Sequence, residues 1–128
     1  MTKLPLPLQP LAVLAASLML TVAAAAQAPR STGPVIKDYG AVFAVPDPGL
    51  PTPTATPLKI AFDVQTAPDA RDEVNGNIES AARFLNMHGQ AGVPRENVAV
   101  GVVLHGGAVL NGLSHEAYRK RFGVDNPN

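Results

Sequence analysis

Residues that could do chemistry follow directly after an apolar run. In VAVGVVLHGG, the run Val98–Leu104 is rich in β-branched residues, and His105, Gly106 and Gly107 come next. Such a run predicts a strand buried on both faces, as in parallel sheets covered by helices. Ligands collect at the carboxyl edge of such sheets, and an imidazole there can bind a ligand or transfer a proton near neutral pH. His105 is therefore the first candidate site residue.

Other polar residues are expected at the same edge. Asp63 lies near the end of LKIAFDV, a second strand-like segment, and Asn75 lies at the start of the helix-like segment that follows. The glycines would let the backbone approach an anionic or thiol-bearing ligand. Alternatives stay open, because the histidine can bond to neighbouring backbone, and turn chemistry can account for the glycines and the asparagine. Catalytic residues are unassigned, and the candidate ligand-binding residues are Asp63, Asn75, His105, Gly106 and Gly107.

Metal and nucleophile chemistry have weaker signals. The chain contains no cysteine, so these residues offer neither a thiolate ligand nor a thiol nucleophile. His88 and His115 fall in helix-like segments without a second ligand at a suitable spacing. Ser114 precedes a helix-like segment and suits an N-cap better than a nucleophile. We therefore expect no metal site and no cofactor.

The segment between the two strand-like runs has helical spacing. Gly92 and Pro94 are expected to end this helix. Asp69, Asp72 and Glu73 are expected in its first turns, where negative charge is favourable. A strand, helix, strand unit of this length predicts a parallel, right-handed crossover. The apolar positions at intervals of three and four are Val74, Ile78, Ala81, Ala82 and Leu85.

Two segments precede the first predicted strand. Lys3 is followed by LAVLAASLMLTVAAAA, an apolar run typical of a secretory signal that spans residues 1–26. Residues 27–57 are dense in proline, which indicates a semi-rigid arm near polyproline II. Within that arm, VIKDYGAVFAVPDPG is apolar enough to dock on a surface, and a plain spacer is the open alternative. We expect a periplasmic or secreted protein with no stable membrane span after signal cleavage.

The charge balance excludes some partner classes. Ten acidic and ten basic side chains give a formal net charge of zero. A near-neutral chain gives no electrostatic argument for binding nucleic acid or an anionic membrane. The basic residues 119–121 form a small cluster that is typical of a solvated helix face. We therefore predict no nucleic-acid partner.

The C-terminal segment predicts a short helix and the opening of another element. Ser114 suits the N-cap of this helix, and Gly123 suits its end. Asn126 followed by Pro127 is typical of a further helix start. Two strands and two helices cannot cover both faces of a parallel sheet. Residues 58–128 are therefore expected to form the N-terminal part of a larger α/β domain.

Four segments occur in a distinctive order between residues 58 and 128. They are KIAFDVQTA, NIESAARFLNMHGQAGVPRENVAV, VVLHGGAV and LSHEAYRKRFGVDNPN. In this order they resemble the DsrE-like (DsrE/DsrF) family, in particular its exported members. The resemblance implies a partial three-layer, flavodoxin-like α/β domain with a mostly parallel sheet. It also implies assembly into homo-oligomers and an association with sulfur metabolism.

The residue that carries sulfur in the relay members of the family has no counterpart in this chain. In the cytoplasmic relay members, a cysteine further along the chain carries persulfide sulfur to a partner, and this chain has no cysteine. The resemblance thus implies a non-catalytic binding protein or sulfur-carrier accessory that meets a protein partner or a small sulfur compound. Two alternatives stay open: a small-molecule enzyme with His105 as general base, and a structural or assembly subunit.

Overall fold

The computed structural model describes residues 29–128. In this range no helix is long and apolar enough to cross a bilayer. The predicted signal segment lies outside the described residues. In chain order the elements are β1 (Arg30–Ser31), β2 (Val42–Phe43), β3 (Leu58–Val64), α1 (Gly76–Gln90), a 3₁₀ turn (Arg95–Asn97), β4 (Val98–Leu104), a 3₁₀ helix (Gly106–Gly112) and α2 (His115–Phe122).

The central unit is the parallel pair of β3 and β4 with α1 between them in sequence. Leu58 lies opposite Val98, and the register continues without a bulge to the ends of both strands. Burial alternates along β3, and its larger apolar residues face α1, where the rings of Phe62 and Phe84 meet edge to face with centroids 6.1 Å apart. The chain is therefore of the α/β class, as the hydrophobic pattern predicted.

The other face of this sheet is uncovered in the described residues. Val103 is 55% exposed, and Ala99 and Gly101 beside it are exposed as well. The prediction that β4 is buried on both faces is wrong for residues 29–128, because α1 lies on the opposite side. We call this surface the open face; its residues are Lys59, Ala61, Asp63, Ala99, Gly101 and Val103.

Helix α1 begins later than the apolar spacing predicted. Asn75 is its N-cap, with φ −67° and ψ 111°, and the Asn75 side chain accepts a hydrogen bond from the backbone N–H of Asn77 at 3.0 Å. An extended residue with this bond marks a helix start. Asp69, Asp72 and Glu73 therefore lie in the preceding loop, and their predicted place in the first turns is wrong.

Helix α2 has the caps that its sequence predicted. The Ser114 hydroxyl accepts a hydrogen bond from the Ala117 N–H at 3.2 Å, and Gly123 ends the helix with φ +79°. Tyr118 is buried, and its hydroxyl donates to the Arg71 carbonyl at 3.0 Å. Tyr118 therefore holds α2 against the loop that precedes α1.

The proline-rich arm is docked on α1 through a fully buried side chain, Asn86. The Asn86 Oδ1 accepts from two backbone N–H groups of the arm, and its Nδ2 donates to three backbone carbonyls there. These bonds satisfy backbone polar groups of the arm that lie outside its two short strands. The donors are Val35 and Ile36, and the acceptors are Ile36, Tyr39 and Gly40.

A close backbone contact completes this docking. Gly40 has φ +66°, and a Cβ on it would lie 2.3 Å from the backbone nitrogen of Arg83. Glu79 accepts from the Gly40 N–H, and Arg83 Nε donates to the Ala41 carbonyl, each at 3.2 Å. For this stretch of the arm, the structure thus shows the docked alternative.

Candidate functional site

The structure brings His105 and Asp63 into contact. The Nε2 atom of His105 lies 2.6 Å from Oδ1 of Asp63, and the two side chains are 44% and 78% exposed, respectively. Nε2 is shielded from solvent, and its contact with the carboxylate does not have hydrogen-bond geometry. The pair is therefore a close contact between an imidazole and a carboxylate at the surface, and nearly half of the His105 side chain is accessible.

Strand register explains why these residues meet. Asp63 lies opposite Val103 in the parallel ladder, and His105 is two residues further on. Because side chains alternate along a strand, Asp63, Val103 and His105 all lie on the open-face side. The His105 N–H donates to the Val64 carbonyl at 3.0 Å, which fixes the start of the turn.

Both candidate glycines contact the chain's own backbone. Gly106 has φ +54°, and a Cβ on it would lie 2.9 Å from the carbonyl oxygen of Gln65. A Cβ on Gly107 would lie 3.5 Å from the nitrogen of Ala67. The Ala108 N–H donates to the same Gln65 carbonyl at 3.1 Å. The glycines thus let the 3₁₀ helix after β4 approach the loop after β3, which is the turn-forming alternative.

Asn75 is occupied by protein partners. It is 2% exposed, and its Nδ2 donates to the Thr66 carbonyl at 2.8 Å and to Oδ1 of Asn111 at 2.9 Å. Its backbone N–H donates to Oδ1 of Asn128 at 2.7 Å. Since both amide hydrogens are used, Asn75 positions the loops around the candidate site.

Three asparagines beyond the candidates complete this arrangement. Asn126 Nδ2 donates to the Asn111 carbonyl at 2.8 Å, and the Asn128 N–H donates to Asn126 Oδ1 at 3.0 Å. The second bond closes an Asx turn over residues 126–128, and the helix start at Asn126 stays a prediction. We call Asn75, Asn111, Asn126 and Asn128 the asparagine cluster.

The remaining histidines lie elsewhere. His88 Nδ1 is 2.8 Å from the Phe84 carbonyl, and its ring lies on Phe84 with centroids 4.0 Å apart, so it contributes to helix packing. His115 is the exposed first residue of α2. Within residues 29–128, no three acidic or histidine side chains are arranged to hold a metal ion.

An apolar groove lies between the arm and the C-terminal half of α1. Its volume is about 720 Å³, and no charged side chain lines it. The groove has room for a ligand, but it has no ionisable side chain that could transfer a proton. The site chemistry is therefore at His105 and Asp63. The larger apolar lining residues are Phe43, Val45, Pro46, Pro48, Pro51 and Met87.

Comparison of the chain with protein-family models, curated proteins and solved structures gave no match. The geometry of the site therefore carries the functional argument, and the DsrE-like resemblance stays a prediction.

Proposed function

We propose that this chain is an exported DsrE-like protein that binds a small thiol-bearing sulfur compound at the carboxyl ends of β3 and β4. The observation that carries the proposal is the contact between His105 and Asp63. An imidazole beside a carboxylate is suited to accept a proton, because the carboxylate stabilises the imidazolium. The thiol proton moves to the ring nitrogen, a thiolate remains beside the new cation, and no electrons are transferred.

The ring orientation selects the atom that meets the ligand. Since Nε2 of His105 faces Asp63, Nδ1 is the nitrogen left to accept the thiol proton. The chain has no cysteine, so the sulfur in this role belongs to the ligand. This supports a role as an accessory protein that holds or delivers a sulfur compound without a covalent bond to it. A relay protein would instead carry the sulfur on a cysteine of its own. Export is supported by the signal-like residues 1–26.

A ligand titration of the full chain tests the proposal. Sodium hydrosulfide and reduced glutathione are the probes, and chemical shifts of the His105 ring are the readout. We expect binding by the wild-type chain and a loss of about tenfold or more in affinity for His105→Gln, which cannot accept the proton as a base. The matched control His115→Gln, at the exposed start of α2, retains wild-type affinity.

Two results reject thiol binding at this site. One is equal affinity in the wild-type chain and His105→Gln with the fold intact. The other is equal binding of S-methyl glutathione, which has no thiol proton to give.

The same His105–Asp63 contact supports one second candidate, a small-molecule enzyme in which His105 is the general base. In that case Asp63→Asn lowers kcat by about tenfold or more, because the imidazolium loses its stabilising charge. A binding protein shows no product formation at all. Lack of turnover when the intact chain is screened with hydrosulfide, thiosulfate and glutathione persulfide rejects the enzyme.

A further inference from the structure

The apolar groove between the arm and α1 has walls that the fold holds in place. One wall is the C-terminal end of α1, and Asn86, next to the lining residue Met87, bonds the arm to this helix. The other wall is formed by residues 43–54, which include three lining prolines with restricted backbones. Asn97 Nδ2 donates to the Thr54 carbonyl at 3.0 Å and holds the far end of that segment. Because the groove is already formed, binding a ligand requires little ordering of the chain.

Large apolar side chains on both walls of the groove are exposed to water. Phe43 is 46% exposed, Met87 is 53% exposed and Val45 is 67% exposed. A ligand that covers these side chains removes apolar area from water, and apolar side chains gathered on one concave surface are typical of a binding site. The groove volume of about 720 Å³ also lies in the range of about 300 to 1,000 Å³ that small-molecule sites have.

Within residues 29–128, no charged side chain lines the groove. Arg30 lies over the ring of Phe43, with its guanidinium carbon 5.7 Å from the ring centroid, and Asp47 lies between two of the lining prolines, but neither residue is part of the lining. A charged ligand in the groove would lose hydration without meeting an opposite charge, which is costly. Neutral polar groups can form hydrogen bonds there. The polar lining side chains are Thr52, Thr54 and Gln90.

We propose that this groove binds an uncharged, mostly apolar small molecule. The groove is separate from the thiol site. Its lining residue Thr54 bonds to Asn97, directly before β4, so the groove lies toward the amino ends of the strands, whereas His105 and Asp63 lie at the carboxyl ends. The proposal therefore goes beyond thiol binding and does not depend on it.

Two fluorescent probes that differ by one charged group test the proposal. N-phenyl-1-naphthylamine is uncharged, and 8-anilino-1-naphthalenesulfonate has the same ring system with a sulfonate added. Both fluoresce more strongly in apolar surroundings, so titration of the full chain into a fixed low concentration of probe gives a dissociation constant. We expect saturable binding of the uncharged probe with a constant of about 100 µM or lower, and binding of the sulfonate that is about tenfold weaker or more.

A variant of α1 locates the probe in the groove. Met87→Glu places a carboxylate against the ligand, and we expect it to weaken binding of the uncharged probe about tenfold or more. Asn77→Glu adds the same charge at an exposed position of α1 outside the groove, and this control binds like the wild type. Circular dichroism checks that both variants are folded. An apolar segment elsewhere, such as residues 11–26, would take up the probe equally in both variants, so the comparison identifies the groove.

Three outcomes overturn the proposal. The first is no saturable binding of the uncharged probe at chain concentrations up to about 1 mM, tenfold above the expected constant. The second is a sulfonate probe that binds as tightly as the uncharged one. The third is a folded Met87→Glu variant that binds the uncharged probe as tightly as Asn77→Glu does. The thiol titration follows the His105 ring instead, so its result is independent of these three.

Discussion

At the scale of single residues, Asn86 has the most consequential position. Its amide is fully buried and makes five hydrogen bonds to the backbone of the arm. A buried backbone group that loses its partner costs about 1 to 3 kcal/mol. Asn86 therefore joins segments that are distant in sequence.

Replacement of Asn86 by leucine is expected to lower the free energy of unfolding by about 3 kcal/mol or more. Leucine keeps the volume but leaves arm carbonyls and N–H groups buried without partners. Urea denaturation measures the effect, and Asn77→Leu, exposed on the same helix, is the control. A loss below about 1 kcal/mol would mean that the arm contributes little to stability.

Residue patterns predicted that His105 and Asp63 share one edge of the sheet, but they predicted neither the contact between them nor the importance of Asn86. Both members of the contact follow or end strands, and parallel strands bring their carboxyl ends to one edge, so position in sequence is enough to place them at that edge. The partners of Asn86 are backbone groups about 50 positions away. Hydrophobic periodicity records which face of a helix is apolar, and it carries no information about such a polar partner.

At the scale of elements, the arm and α1 fit closely at one point. A side chain at Gly40 would meet helix backbone at distances of 2.3 to 2.8 Å, and its φ of +66° is rarely adopted by other residues. The backbone of α1 cannot move aside to make room for a side chain at position 40, whereas the end of a flexible side chain could.

Gly40→Ala is therefore expected to displace the arm and to reduce stability by about 2 to 4 kcal/mol. Limited proteolysis detects the displaced arm, and thermal unfolding gives the stability. Gly49→Ala, in an open loop of the same arm, should change stability by less than about 0.5 kcal/mol. Equal protease resistance in Gly40→Ala and wild type would contradict the docked arrangement.

The elements themselves were largely predictable because their signals are local. The alternation in β3, the apolar run of β4 and the caps of α2 each lie within a few residues of one another. The start of α1 was misplaced because acidic residues favour both helix first turns and loops, and the cap bond made by Asn75 decided between them. The number of elements indicated an uncovered face, because two strands and two helices cannot cover both faces of a parallel sheet. The apolar run of β4 could not show which strand face is open, since such a run looks the same with one face covered or two.

At the scale of the whole molecule, the apolar core is small and shared among many segments. Its buried residues come from the arm, β3, α1, the turn before β4, the 3₁₀ helix and α2. A core assembled from so many pieces couples them, because no single segment buries an apolar surface by itself. The residues are Val42, Val64, Ala81, Val93, Ala108 and Tyr118.

This sharing predicts that the arm unfolds together with the rest of the domain. Amides of Val35 and Ile36, which donate to Asn86, should exchange with solvent as slowly as those of the β3–β4 ladder. Hydrogen exchange followed by mass spectrometry or NMR gives both rates. Exchange of the arm at the rate of an unstructured peptide would show that it opens independently.

The asparagine cluster also has a bearing on chemical ageing. Asn75 and Asn111 each precede a glycine, and asparagine before glycine is the dipeptide that most easily loses ammonia through a cyclic imide. That reaction requires the next backbone nitrogen to reach the side-chain carbon. In the folded chain both side-chain amides are buried, and they are hydrogen-bonded to each other. These bonds keep the side-chain carbon away from the backbone nitrogen of the next residue. The hydrogen bonds that position the loops therefore also protect Asn75 and Asn111 from loss of ammonia. Each unfolding event exposes the two amides to this irreversible reaction.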